Sequence, residues 1–146
     1  MRVAIVVSRF NDFVTERLLD GARQALADQA IAEPDVELLR VPGAFEIPVA
    51  AQRIAETGRV AAVICLGCLI KGATPHFDYI SSACAHGITA AAAATGVPMS
   101  FGVLTTNSVE EALERAGEGE ANKGREAALA ALEMARLFAS IGDHRT

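Results

Sequence analysis

Aromatic residues are scarce in this chain: tryptophan is absent, tyrosine occurs once, and aromatics together make up 5% of the residues. Hydrophobic residues still make up 51%, so the apolar content rests on Ala, Val, Ile and Leu, the residues of helices packed closely on a sheet. Basic charge is also short. Lys and Arg number 13 against 18 Asp and Glu, a formal net charge of −5. That balance excludes a general nucleic-acid or anionic-membrane surface, because neither polyanion would be drawn to it. Small molecules are the expected partners. Met1 to Val7 holds no basic leader and no cleavable small-residue site, so nothing resembles a secretory signal. The longest apolar run, Val60 to Ile70, falls short of the about 20 residues that a membrane helix needs. A soluble, cytoplasmic protein is expected. Cysteine is limited to three residues, an odd number that fits reduced, buried thiols better than a disulfide framework.

At 146 residues the chain has room for one domain, residues 1–146, with a real hydrophobic core. A mean hydropathy of +0.30 leaves more apolar surface than so small a monomer hides, so self-association is expected. Arg2 to Val7 reads as a buried strand, and Asn11-Asp12 offers an N-cap for a helix striped with Val14, Leu18, Leu19, Ala22, Ala25 and Leu26. Val36 to Val41 reads as a second strand. A helix follows Pro42-Gly43 and runs to about Thr57, with Pro48 tolerated in its first turn. Val60 to Leu66, apolar on both faces, reads as a central parallel strand. An Ala-rich helix after Lys71 to Pro75 closes at Gly96, and Pro98 to Leu104 gives a fourth strand. Ser108 with Glu111 makes a capping box for a helix ending at Gly117. Asn122 to Ser140 is the last helix, and the tail from Asp143 is expected to fray. The order β-α-β-α-β-α-β-α-α predicts a three-layer α-β-α sandwich around a four-stranded parallel sheet, of the flavodoxin-like kind. Ligands of such sheets bind at the carboxyl ends of the strands. That directs attention to Ser8 to Asn11, Val41 to Glu46, Gly67 to His76 and Leu104 to Asn107.

No G-x-G-x-x-G follows the first strand, so no nicotinamide cofactor is implied. Phe10 stands there instead, equally readable as core or as a stacking platform for a heteroaromatic ring. Gly43 and Ala44 allow backbone to approach a ligand, and Glu46 is either a helix-dipole carboxylate or an acceptor for hydroxyl and N–H groups. Gly72, Ala73 and Thr74 precede a helix and can present N–H groups and a hydroxyl to one phosphate. His76 follows within reach, and imidazole suits proton shuttling at neutral pH. Cys65 and Cys68 form a C-x-x-C, but residues three apart on a strand point to opposite faces and no second ligand pair exists at zinc spacing. His76 and His86 lie ten positions apart, roughly 280° round a helix. No metal site is expected. Arg115 reads as a C-terminal helix cation and Lys123 as a solvated residue, unless an anionic substrate raises Arg115 to a phosphate clamp.

Taken in order, these segments resemble the lumazine synthase family. They are Arg9-Phe10-Asn11, Gly43-Ala44-Phe45-Glu46-Ile47-Pro48, the run Gly67 to Tyr79, the run Phe101 to Asn107, Glu114-Arg115-Ala116-Gly117 and Asn122-Lys123-Gly124. The resemblance spans about Val3 to Met134 and is specific as a set, although each motif alone is weak. It implies condensation of 5-amino-6-(D-ribitylamino)uracil with 3,4-dihydroxy-2-butanone 4-phosphate to 6,7-dimethyl-8-ribityllumazine, with neither cofactor nor essential metal. It also implies roles. Phe10 would stack on the pyrimidine, Ala44, Phe45 and Glu46 would line the ribityl chain, and Cys68, Leu69 and Ile70 would offer backbone groups to the ring edge. Ala73 and Thr74 would hold the phosphate while His76 transfers protons. Phe101, Arg115 and Lys123 would come from a neighbouring subunit of a homopentamer or a pentamer-based assembly. Lys71 stands where Arg is commoner in the family, and Cys68-Leu69 replaces a frequent Thr-Val. Only Met1 and Arg2 precede the first strand, where many members carry a longer segment. A phosphoacceptor receiver domain of similar topology is disfavoured, because Leu66 and Gly67 stand where it needs a carboxylate.

Overall fold

Two strands buried on both faces occupy the centre of the structure, a computed structural model that describes residues 1–72 and 75–142. They are β1 (Val3–Ser8) and β3 (Ala62–Ile70), flanked by β2 (Val36–Val41) and β4 (Met99–Thr106) in one parallel sheet ordered β2-β1-β3-β4. The register sets Ile5 beside both Leu38 and Ile64, and Cys65 beside Phe101. Five helices cover the sheet: α1 (Asp12–Asp28), α2 (Ile47–Glu56), α3 (His76–Thr95), α4 (Val109–Arg115) and α5 (Lys123–Ile141). Alternation along the strands separates two cores. Val3, Ile5, Val7, Ile64 and Leu66 pack with α1, α4 and α5, while Ala4, Val6, Val63 and Cys65 pack with α2 and α3. This is the expected three-layer sandwich, and no helix among the described residues is long and apolar enough to cross a membrane.

Four local readings change. First, β3 runs to Ile70 and β4 to Thr106, beyond the expected Leu66 and Leu104. Gly67 does not break the strand: it pairs with Val103, and a Cβ there would lie 3.1 Å from Ile47 Cδ1 and 3.3 Å from Ser8 Oγ. The missing side chain lets α2 and the β1 tip close over the sheet. Second, Asn11 is no side-chain cap. It sits in the left-handed region at φ 61°, which Asn tolerates better than most residues, and its Nδ2 donates to the Cys68 carbonyl at 2.9 Å. Third, α2 begins at Ile47, after a 3-10 turn over Ala44–Glu46. Fourth, Ser108 caps α4 by accepting from the Glu111 N–H at 3.1 Å, but the Glu111 carboxylate pairs with Arg115 rather than closing the box.

Cys65 and Cys68 are buried in opposite cores, and Cys84 of α3 is buried on the Cys65 side. Burial pushes the Cys68 and Cys84 thiols up to about 11 and the Cys65 thiol higher still. At pH 8 a thiol at pKa 11 is about one part in a thousand thiolate, the reactive form. Native protein should therefore show no fast-reacting cysteine toward a thiol reagent, and three on denaturation. One fast thiol in the folded protein would contradict this packing. A second expectation concerns Gly102 of β4, where a Cβ would meet Leu66 Cδ2 at 2.7 Å, the Cys65 carbonyl at 2.9 Å and Ala127 at 3.0 Å. Gly102→Ala should cost about 1–3 kcal/mol by overpacking the layer between β4 and α5, read as a lower denaturant midpoint. An unchanged midpoint would mean that α5 does not press on β4.

Candidate active site

Three strand tips meet above the carboxyl edge of the sheet. Arg9 N–H donates to the Val41 carbonyl at 2.8 Å and Phe10 N–H to the Pro42 carbonyl at 3.0 Å, so the β1 tip continues along the β2 tip. The Asn11 side chain then crosses to Cys68, tying β1 to β3. Phe10 is held between these anchors and is 64% exposed, unusual for a residue that could have joined the core. Below it the 3-10 turn turns Glu46 back, and a Cβ on Gly43 would lie 3.3 Å from Glu46 Oε1. Glycine at this position leaves room for the carboxylate. No hydrogen bond to that carboxylate is found among the described residues, which leaves its oxygens available to a ligand.

These elements enclose a cleft of about 860 Å³, within the usual range for small-molecule sites. Phe10, Phe45 and Tyr79 supply flat aromatic surface, Ala44, Leu69 and Ile70 a smaller apolar lining, and Glu46 and His76 a carboxylate and an imidazole. His76 is the first residue of α3 and is exposed at the mouth. Gly72 also lines the cleft, whereas Ala73 and Thr74, the expected phosphate contacts, lie outside the described residues. Cys68 does not line it: the thiol faces the α1–α5 core and the carbonyl accepts from Asn11. The α3 residues Phe77, Tyr79, Ile80 and Ala83 line the cleft without having been singled out from sequence. Their spacing from His76 follows the first two turns of a helix, a signal the sequence carried.

The remaining expected residues stand elsewhere. Phe101, Arg115 and Lys123 border a second groove of about 460 Å³ beside the edge strand β4, and among the described residues none lines both cavities. Phe101 is 47% exposed. Arg115, ending α4, pairs with Glu111 at 2.9 Å, and Lys123, opening α5, pairs with Glu126 at 3.0 Å. Both are surface pairs between neighbouring turns, of the kind that contributes little to stability. An entering anion can replace such carboxylates with small loss. Ser100 also borders this groove, and its buried Oγ has no partner among the described residues. No three His, Cys, Asp or Glu side chains among the described residues are grouped to hold a metal ion.

One chain therefore carries an aromatic and acid-base cleft at the tips of β1, β2 and β3, and a separate cationic groove along β4. Comparison with known proteins agrees with the motifs that line them. Residues 1–139 match the family model described as 6,7-dimethyl-8-ribityllumazine synthase. The chain is also similar to a protein of Syntrophus aciditrophicus (strain SB) named 6,7-dimethyl-8-ribityllumazine synthase. The two are 52% identical over 141 residues, 97% of this chain and 92% of the relative. This chain belongs to the 6,7-dimethyl-8-ribityllumazine synthase family.

Proposed function

We propose that a complete site is shared by two neighbouring copies of this chain, the cleft of one facing the groove of the next. The activity is that of the family: a transferase of riboflavin biosynthesis that acts on small-molecule substrates. It condenses 5-amino-6-(D-ribitylamino)uracil with 3,4-dihydroxy-2-butanone 4-phosphate to 6,7-dimethyl-8-ribityllumazine, releasing phosphate and water. The observation that carries the shared site is the separation of the two cavities within one chain. The cleft offers stacking and proton transfer but no exposed cation pair, whereas the groove offers two cations and one aromatic ring. Neither half answers both substrates.

In this reading Phe10 stacks on the pyrimidine, and Ala44, Phe45 and Glu46 line the ribityl chain with Glu46 accepting its hydroxyl protons. Leu69 and Ile70 present backbone to the ring edge, together with Cys68, whose carbonyl already accepts from Asn11. Ala73 and Thr74, outside the described residues, hold the phosphate as the family resemblance implies. Phe101 of the neighbouring copy covers the ring, Arg115 of that copy leaves its surface carboxylate for the phosphate, and Lys123 of that copy also contributes to substrate binding. Arg115 can meet it with two charge-assisted hydrogen bonds. The chemistry needs no strong nucleophile. An amine attacks the ketone and loses water to give an imine, phosphate departs, and the second amine closes the ring with loss of water. Each step moves protons, which His76 can accept and return, and holding the two substrates face to face lowers the barrier further. This chemistry requires neither a cofactor nor a metal.

A cleft-to-groove contact joins different surfaces, so repeated around an axis it closes a ring. We take that ring to be a homopentamer, alone or within a larger assembly of pentamers, built from residues 1–146 as one domain. Exposed Phe10, Phe45, Val49, Tyr79 and Phe101 supply apolar surface for it. Three free, buried cysteines suit a reducing cytoplasm. The test mixes the protein with both substrates and follows lumazine and phosphate together. His76→Ala should slow turnover by roughly ten- to a thousandfold with assembly intact, since positioning supplies the rest. Arg115→Ala should raise KM for the four-carbon phosphate and leave KM for the pyrimidine unchanged. Unchanged turnover in His76→Ala removes that residue from the mechanism, and equal KM shifts in Arg115→Ala remove the phosphate clamp.

A further inference from the structure

The two groove cations sit on either side of a corner that a single side chain holds together. Arg115 ends α4, the chain passes through Gly117 and Gly119, and Lys123 opens α5. Gly119 has φ +82° and stands free of neighbours, so this corner has little intrinsic stiffness. Asn122 is 3% exposed within it. Its Nδ2 donates toward the Ala116 carbonyl at 3.1 Å, the Gly117 carbonyl at 2.9 Å and the Arg17 carbonyl of α1 at 3.1 Å. Its Oδ1 accepts from the Arg125 N–H at 3.0 Å, in the first turn of α5. The carboxamide thus joins the residues directly after Arg115 to the residue directly before Lys123.

Helix α1 is shaped around this amide. A Cβ on Gly21 would overlap the Asn122 carboxamide, and a Cβ on Gly124 would overlap the Leu18 carbonyl, so α1 lies directly against the corner. Capping alone does not require Asn. Ser or Asp at an N-cap accepts the same helical N–H about as well, but neither also supplies N–H donors for three carbonyls. The donor half of the side chain is what fixes α4 relative to α5.

We propose that Asn122 is a positioning residue for phosphate recognition, setting where the Arg115 guanidinium stands by holding the end of α4 against the start of α5. This rests on the reading that Arg115 receives the substrate's phosphate. A bidentate clamp is sensitive to small displacements, so a corner that drifts loses phosphate affinity before it loses the fold. Asn122 itself touches no substrate.

The test compares Asn122→Ser and Asn122→Asp, which keep the cap acceptor and remove the two amide N–H donors, with Gly21→Ala, which crowds the amide from α1. Each variant is first checked by mass for assembly. All three should raise KM for the four-carbon phosphate by about tenfold, with KM for the pyrimidine and kcat within about twofold, the signature of one lost binding interaction. In the Arg115→Ala background, Asn122→Ser should add less than about twofold, because both changes remove the same contact. Equal shifts in both KM values, or none, in an assembled Asn122→Ser would make the residue merely structural and overturn the proposal. So would loss of assembly in all three variants. An Arg115→Ala enzyme with unchanged phosphate KM would instead refute the clamp, and the positioning role with it. A raised KM in Arg115→Ala beside a normal one in Asn122→Ser refutes the positioning role alone.

Discussion

Because β1 and β3 are buried on both faces, their backbone groups have no solvent to turn to and must pair with each other and with β2 and β4. That requirement fixes the rest. The chain passes from β1 to β2 on one side and later returns to place β3 on the other, so the loops after β1 and β3 diverge at the centre of the sheet, where a crevice opens. Asn11 bridges that crevice to Cys68, and Gly67 lets Ile47 and Ser8 close beneath it. Phe10 is then left standing over the opening because both of its neighbours are anchored.

The same constraint separates the cationic groove from the cleft. Four strands in this order place β4 at an edge, and the ends of α4 and α5 that carry Arg115 and Lys123 border that edge rather than the β1–β3 crevice. Arg115 and Lys123 cannot reach Phe10 or His76 through the sheet, and the protein holds them in surface ion pairs that a phosphate can displace. The division suits a two-substrate reaction. A flat heteroaromatic ring and a small phosphate ester need different surroundings, and a contact between copies can bring the two together without either being compromised inside one chain.

Much of the fold was legible because its signals were local and redundant. The unbroken apolar run from Val3 to Val7, the stripe from Val14 to Leu26, Gly96 at a left-handed helix end and the Ser108 cap each had one simple structural solution. Legibility failed where tertiary contact overrode local preference. The third strand was expected to stop at Leu66, but Gly67 continues the ladder beside Val103. Asn11 reads as a cap but spends its amide on a carbonyl far along the chain. For the site, position alone pointed to the strand tips, and the expected cleft residues among the described ones, Cys68 excepted, do line one cavity there. The roles of Phe101, Arg115 and Lys123 were readable only through the family resemblance, since on a single chain they are an exposed ring and two ordinary surface cations. Asn122 was read as a helix start, and nothing in its spacing revealed that its donors hold the corner behind Arg115.

The central claim is that His76 of one copy and Arg115 of the next serve the same site. His76→Ala and Arg115→Ala, each deficient alone, can be unfolded together in equal amounts and reassembled. Random mixing around a ring restores about one quarter of the sites, the chance that one copy supplies an intact His76 and its neighbour an intact Arg115. Activity should therefore rise to roughly a quarter of the unsubstituted enzyme's, well above either mutant reassembled by itself. Rings shown by mass to be mixed, with activity no higher than the two mutants apart, would place both residues in one site of one chain and contradict the account.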